Sequence, residues 1–363
     1  MYRKTKMQIR ANGFSLIELM VAMLIGLLVL AGVIQVVLNS KRSFIDNQEV
    51  AFIQDNTRYA LDIIIKDLRS SGYKGCARSL LTTVNVIDFA NIAKPSGGSG
   101  TLADAFAFNT IPFNGTDTKD KQELKDPDVA SILPSGVLPD TITIQTLPNE
   151  REAILNTHNP KSGDITTSQP VNFPDGTPLM IIDAGCQNVA LVAGGTAGLD
   201  STTIKPTKSQ NCSTGLTSTD EASCTQGKIN TIKPIQPGSA ITPYLVNRYF
   251  IGKASAAINN TMPALKRQYL TSISGTPTFR EEEIAQGVED MQITYGIDNG
   301  QGRVDKDVFI TADEVGIRWD QVVAVRIELT LRSGAPVQAP SNGNDGYLRK
   351  KVASTVSLRN YGG

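Results

Sequence analysis

The sequence predicts an α+β fold: one long N-terminal helix whose second half packs on antiparallel β-sheets carrying long loop insertions. Three observations lead there. An almost unbroken apolar run occupies residues 14–38. Helical periodicity continues past it to about residue 71. After Cys76 the period drops to two, and short alternating strands separated by polar stretches follow to the C terminus.

The N-terminal element comes first. Residues 1–12, MYRKTKMQIRAN, carry Arg3, Lys4, Lys6 and Arg10 and no acid. Phe14 to Leu38 then reads FSLIELMVAMLIGLLVLAGVIQVVL. At ~1.5 Å per residue this run makes a helix of roughly 37 Å, enough to cross a ~30 Å hydrocarbon core. The basic leader predicts a cytoplasmic N terminus, with the rest of the chain on the far side. No small-residue cleavage site of the A-x-A kind ends the run, which continues into NSKRSFIDNQ. An uncleaved signal anchor and a simple single-pass helix both satisfy hydropathy. Glu18 satisfies neither comfortably, because a charge at a helix centre in hydrocarbon costs at least ~2.5–3.5 kcal/mol on insertion scales.

The helix does not stop at the membrane. In NQEVAFIQDNTRYALDIIIKDLRSSGYKGC, Val50, Ile53, Ala60, Leu61, Ile64 and Leu68 recur at helical spacing. Gln54, Asp55, Arg58, Asp62, Lys66 and Arg69 take much of the other face. Asp62 and Lys66 stand i,i+4 with the acid first, the favourable orientation. Gly72 is placed to cap the C terminus. One helix from about Phe14 to Ser71 follows, roughly 85 Å long at the same rise. Gly26 and Gly32 are not spaced as GxxxG and read as points of flexibility.

The strands come next: 140–147, 178–183, 187–194, 243–253, 265–270, 288–298, 321–333 and 349–360. The clearest is QVVAVRIELTLRS, where Val323, Val325, Ile327, Leu329 and Leu331 alternate with Arg326, Glu328, Thr330 and Arg332. Residues 91–139 and 195–240, rich in Gly, Ser, Thr, Asp and Pro, read as long surface insertions. The chain divides as 1–13, a basic leader; 14–38, the membrane half of the helix; 39–72, its amphipathic half; and 73–363, a β-rich head.

Composition excludes several functions. Net charge is zero, with 35 basic and 35 acidic residues, so no global field draws nucleic acid, and direct binding to it is not expected. One His leaves no room for a histidine metal site, and His158 sits in NTHNPKSG, a loop-like context. No GxSxG, P-loop, HExxH or GxGxxG-after-strand pattern occurs, so neither an enzyme nor a cofactor is expected. The acidic stretch 297–307 invites a calcium reading, yet counting from Asp298 the alternate positions are Gly300 and Gly302, which lack side-chain oxygens. A solvated hairpin turn is the simpler reading. The four cysteines, Cys76, Cys186, Cys212 and Cys224, contain no CxxC pair and suit disulfides in an oxidising compartment. They allow three pairings. Ready closure of the short polar loop favours Cys212–Cys224, which leaves Cys76–Cys186 to tie the helix end to a sheet.

One motif is specific. GFSLIE after a short basic leader resembles the type IV prepilin signal. The resemblance implies that a prepilin peptidase cuts between Gly13 and Phe14 and that the new amine of Phe14 is N-methylated. Glu18 then becomes the fifth residue of the mature chain. An amine and a carboxylate taken out of water both need neutralising. Glu18 could serve the amine of a neighbouring subunit, or its own terminus, since residues 14 and 18 are i,i+4 on one helix. The resemblance favours the intersubunit role in filament assembly.

Two further stretches narrow the family. NTRYALDIIIKDLRSSGYKGC resembles the helix end of PilW-family minor pilins, and EIAQGVEDMQITYGID resembles a second signature of that family. Both recur more loosely in the type II secretion pseudopilin J. The resemblance covers residues 10–76 and about 280–360. It implies a pilin-like fold with two antiparallel sheets in the head, and a minor-pilin complex that primes filament assembly and stays at the pilus tip. The implied partners are other minor pilins, the major pilin, the inner-membrane assembly platform and a large tip-associated adhesin-like protein. The expected location is the inner membrane, single-pass with a periplasmic head, and then the pilus. Twitching motility, adhesion and DNA uptake are all compatible. A membrane-anchored adhesin or enzyme is the reading from another class.

Overall fold

In the computed structural model, the described residues are 15–71, 82–85, 113–121, 123–146, 153–159, 164–186, 188–196, 198, 201–206, 235–255, 262–298, 300, 304–316, 318–337 and 345–358. Helix α1 is a single element, Leu16–Ser70. Its buried stripe is Ile53, Thr57, Ala60, Leu61, Ile64 and Leu68. Thr57 joins the stripe because its hydroxyl donates to the Ile53 carbonyl at 2.6 Å, which satisfies the one polar atom that burial would strand. Val50, expected on the buried face, is 37% exposed.

Two local expectations change. The helix is capped by Ser71, not Gly72: Ser71 is already extended (φ −61°, ψ 148°), and its N–H and hydroxyl both donate to the Leu68 carbonyl. It then bridges to Thr146 in antiparallel fashion, so a sheet captures the chain as the helix ends. Gly72 itself lies outside the described residues. Asp62 pairs with Arg58 at 3.8 Å, and no ion pair to Lys66 is formed. Both partners are well exposed, so the exchange matters little for stability.

The β-elements, in chain order, are β1 (Thr82–Asn85), β2 (Phe113–Thr116), β3 (Thr141–Thr146), β4 (Ala153–His158), β5 (Ile165–Val171), β6 (Thr177–Ile182), β7 (Asn188–Thr196), β8 (Ser201–Pro206), β9 (Ala240–Pro243), β10 (Leu245–Lys253), β11 (Pro263–Ile273), β12 (Thr276–Gln286), β13 (Val288–Asp298), β14 (Val304–Ile310), β15 (Val322–Arg332) and β16 (Arg349–Ser357). All eight expected strands are present. Among the described residues they form three sheets, ordered β12-β11-β10-β3-β2, β14-β13-β15-β16 and β1-β7-β6-β9-β4-β5-β8.

The first two sheets sandwich the second half of α1. One continuous core joins Ile53, Ala60, Leu61, Ile64 and Leu68 of the helix to Ile142, Ile144 and Tyr249 of the first sheet and Met291, Ile293, Val325, Ile327 and Leu329 of the second. The alternation read in 321–333 holds over the middle of β15, where Val325, Ile327, Leu329 and Leu331 are all fully buried, and breaks at its ends, where Val323 is only half-buried and Arg332 is buried.

The third sheet is unexpected in form. β7 pairs with β6 along its length and with β8 at Gly194–Thr196, so β7-β6-β9-β4-β5-β8 close into a ring. This small barrel has its own core, including Leu155, Ile165, Phe173, Leu179, Ile181, Val192, Ile204 and Ile241. β1 joins the first half of β7 in parallel, Thr82 opposite Asn188, while the other pairings among the described strands are antiparallel. The two insertions are therefore not all loop. Segment 91–139 holds β2 and a 3-10 turn at Pro127–Ser131, and 195–240 holds β8. Such short strands carry too little alternation to be read locally, and pairing partners far along the chain select them.

His158 is likewise not in a loop. It ends β4 and is 8% exposed, and its Nδ1 accepts the Ile235 N–H at 3.1 Å. Burial pushes its pKa down, which suits a neutral barrel-wall residue. The 297–307 segment is a hairpin: Asp298 of β13 pairs with Val304 of β14, and Asp298 Oδ1 accepts the Gly300 N–H at 3.0 Å.

The two sandwich sheets are strapped together by Asp140. Its Oδ2 accepts the Ile293 N–H at 2.8 Å, its Oδ1 accepts the Thr118 N–H at 3.3 Å, and its own N–H donates to the Met291 carbonyl at 2.7 Å. Burial pushes its carboxyl up to about 7; the two backbone donors pull it down and nearby Asp117 raises it further. The ordinary unfolded value is about 3.9. Between those values the native head holds a proton that the unfolded chain releases. The Asp140 contribution to stability is therefore complete below about pH 4 and is lost as pH rises toward 7. Thermal unfolding of the head freed of its membrane half should show this. Relative to wild type, Asp140→Asn should lose stabilisation on going from pH 8 to pH 5, and parallel pH profiles of the two proteins would contradict the assignment.

Candidate assembly interface

The site that carries chemistry here is a surface. From Leu16 to Leu38 every residue of α1 is exposed, with Leu16 at 78% and even Leu38 at 47%. Such a helix is long and apolar enough to cross a membrane, and none of that segment is buried against the head. Monomeric soluble proteins do not leave continuous apolar area of this size open, so the segment requires lipid or other helices. Gly26 and Gly32 have nothing within 4 Å of a would-be Cβ, so they leave shallow notches in the cylinder.

Glu18 lies in the first turn, where its Oε2 accepts the Ser15 N–H at 3.0 Å. In the single chain the carboxylate therefore serves the amino end of its own helix, in the direction the helix dipole favours. That is a local, exposed contact, which a competing cation could replace. Gly13 and Phe14, the expected cleavage and methylation positions, lie outside the described residues.

Residues 39–48 form a polar stalk, NSKRSFIDNQ, still helical and mostly exposed. The head takes hold at Glu49, whose Oε2 accepts the Gly334 N–H at 2.6 Å. Asn56 Oδ1 accepts the Gln286 N–H at 3.0 Å. Nearer the helix end, Asp67 Oδ2 accepts from Asn247 Nδ2 and from the Tyr249 hydroxyl, each at 2.6 Å. Burial, together with the Asp67 carboxylate, pushes the Tyr249 phenol well above its usual range, so it stays a donor. Three polar latches along one helix fix its rotation against the head and hence the direction in which the apolar half points.

Sequence reasoning missed Asp67. The signal was present: Asp67 lies seven residues after Ala60 and three after Ile64, on the buried stripe, and an acid there needs donors from the sheet. It also missed Glu289 on β13, whose side chain is 2% exposed and is paired with Arg349 of β16 at 2.6 Å. Only the register of β13, β15 and β16 reveals that pair.

Cys186 is disulfide-bonded, at a left-handed turn residue (φ 59°) between β6 and β7. Cys76, Cys212 and Cys224 lie outside the described residues. Non-reducing peptide mapping should give Cys76–Cys186 and Cys212–Cys224, and a peptide joining Cys76 to Cys212 would reject that pairing. Among the described residues no cluster of His, Cys, Asp and Glu is arranged to hold a metal ion.

Comparison with known families accounts for both ends of this arrangement. Residues 9–34 match the prokaryotic N-terminal methylation motif. Residues 248–360 match the family model of the type IV pilus-assembly protein W, from β10 to beyond β16. The barrel lies outside both matches. No curated protein and no solved structure matches the chain. The methylation motif and the exposed apolar helix fit a pilin anchored in the inner membrane and then incorporated into a pilus. Taken together, the N-terminal methylation motif at one end and the pilus-assembly domain at the other support a type IV pilin of the PilW family.

Proposed function

We propose that the protein is a minor pilin that helps to initiate type IV pilus assembly within a complex at the pilus tip. The observation that carries this reading is the exposed apolar half of α1, held at a fixed rotation by the Glu49, Asn56 and Asp67 latches. It has a non-catalytic role, in which helices of neighbouring pilins replace lipid around residues 16–38. Its partners are other minor pilins, the major pilin, the inner-membrane assembly platform and a tip-associated adhesin-like protein. A prepilin peptidase matures it. The second reading is pseudopilin J of a type II secretion system, favoured only by a looser likeness at the helix end and around β13.

Deletion of the gene separates the two. Loss of surface pili and twitching with secretion intact supports the minor-pilin role, and loss of secretion with normal pili would overturn it. Maturation supplies an independent check. The N-terminal peptide from piliated cells should begin at Phe14 and carry an N-methyl group. Recovery of the intact leader by mass spectrometry would remove the prepilin assignment.

A further inference from the structure

Strand β4 changes face just before it ends. Ala153 and Leu155 belong to the barrel core, and strict alternation would send Thr157 inward and His158 out. A β-bulge between Leu155 and Thr157 reverses this: Asn156 and Thr157 are both exposed, and His158 is buried. The chain carries one histidine, and this bulge turns its ring into the barrel wall.

The ring stands where a ladder runs out. Among the described residues β4 and β9 pair at Ala153–Ile241 and Ile154–Ala240 and no further. The Leu155 N–H then donates to the Ser239 carbonyl, and the Gly238 N–H to the Leu155 carbonyl, each at 2.8 Å. The next tie along this seam is the imidazole itself, whose Nδ1 accepts the Ile235 N–H. Ile235 in turn packs its side chain on the barrel core. That bond fixes the tautomer. Nδ1 must be bare, so the one proton of a neutral ring sits on Nε2, which is buried without a hydrogen-bond partner among the described residues. The charged groups nearby do not engage it. Residues 235–243 contain no ionisable side chain. Asp164, just before β5, accepts the Asn159 N–H at its backbone carbonyl, and Lys205 of β8 lies exposed beside Ile204. Neither shifts the ring, and burial alone pushes its pKa down.

We propose that His158 is an acid-released latch: on taking up a proton its ring gives up the Ile235 N–H, and the barrel opens along the β4–β9 seam while the helix-packed sandwich stays closed. An imidazolium has two N–H donors and no acceptor. Its Nδ1–H would face the Ile235 N–H, donor against donor, and its charge would lie in the barrel wall without a counter-ion. Both costs are relieved when the ring swings out to water. That move separates the end of β4 from Ile235 and lifts the Ile235 side chain off the core. A histidine held below its ordinary value of about 6.5 binds fewer protons closed than open, so the latch is complete above about pH 6.5 and is lost as pH falls through the lower, closed-state value. Asp140 runs the other way, so acid loosens the barrel while it strengthens the strap across the sandwich. The two can respond separately because their cores share no residue. The barrel also leaves and re-enters the sandwich at one place, where Thr146 of β3 faces Leu245 of β10.

The test uses the full chain in lipid nanodiscs, purified without a polyhistidine tag so that His158 remains the one histidine. Nitrogen NMR of the histidine-labelled chain at pH 7.5 should show a neutral ring with its proton on Nε2. On acidification toward pH 4.5, amide protection in β4 and β9, corrected for the chemical exchange rate at each pH, should fall at least tenfold. Its midpoint should coincide with the titration of the ring, and protection in β15 should hold. His158→Gln never charges, and its amide oxygen can still accept the Ile235 N–H. That variant should keep its neutral-pH barrel protection in acid. A proton on Nδ1 at pH 7.5, barrel protection that ignores pH, or loss in β15 alongside β4 would each overturn the latch. So would a His158→Gln barrel that opens in acid as wild type does. Should His158→Gln fail to accumulate, the wild-type chain decides alone: coincident midpoints for the ring and for β4 exchange support the latch, and separate midpoints overturn it.

Discussion

A Glu18→Ala protein should be made, processed after Gly13 and stored in the inner membrane, and should leave a deletion strain without pili. The reason lies in where the carboxylate sits. Among the described residues it accepts a hydrogen bond from the Ser15 N–H at 3.0 Å, at the exposed start of α1. Removing it costs the head nothing and eases insertion, because a polar group leaves the hydrocarbon. In a filament the account reverses. The amine created at Phe14 enters a bundle of apolar helices, where an uncompensated charge costs several kcal/mol. On the proposed intersubunit role, a carboxylate one turn into a neighbouring helix would neutralise it at a single axial stagger. Mature protein and sheared surface pili should be measured side by side, with complementation expected to fall at least tenfold below wild type. Normal piliation by fully processed Glu18→Ala would leave this carboxylate the merely local role its hydrogen bond with Ser15 describes.

An Arg349→Met protein should lose more stability than other single changes on the polar side of the head. Arg349 Nε donates to Glu289 Oε1 at 2.6 Å, and its two terminal nitrogens grip Asp345. The guanidinium holds the Asp345 carboxyl down at about 2. Glu289 is different, because it is almost fully buried and its Oε2 has no hydrogen-bond partner among the described residues. Without Arg349 its carboxylate stays buried and unpaired, which costs ~3–5 kcal/mol for a fully enclosed pair. Arg349 is itself 31% exposed, and water reaching the vacated position reduces the loss toward the lower bound, about 3 kcal/mol. For a head of this size that lowers the midpoint by roughly 6–12 °C. Glu289→Gln in the same background should recover most of it by removing the stranded charge. A shift under about 2 °C in Arg349→Met, or no recovery in the double variant, would show that the pair carries little.

Much of this molecule was legible in one dimension because the forces involved are local or periodic. The apolar run and its basic leader declare a membrane helix without reference to anything folded, since transfer out of water depends on composition alone. The stripe Ile53, Ala60, Leu61, Ile64 and Leu68 declares which face is covered, since 3.6 residues per turn leave no choice. β13 and β15 could be read for the same reason with a period of two. GFSLIE stands out because an acid so close to the start of such a run has an electrostatic cost that demands a use.

Tertiary structure alone decided the rest, wherever the partner lies far along the chain. β2 and β8 are too short and polar to declare themselves, and exist because β3, β5 and β7 offer them ladders. Asp140 is one acid among many until Ile293, 153 residues on, closes over it. Glu289 and Arg349 become a pair only through the antiparallel register of three strands. The barrel is the largest such case. Nothing in residues 147–244 states that six short strands will close on one another, because closure is a property of tilt and register summed around a ring, and each strand alone contributes only an ambiguous fragment.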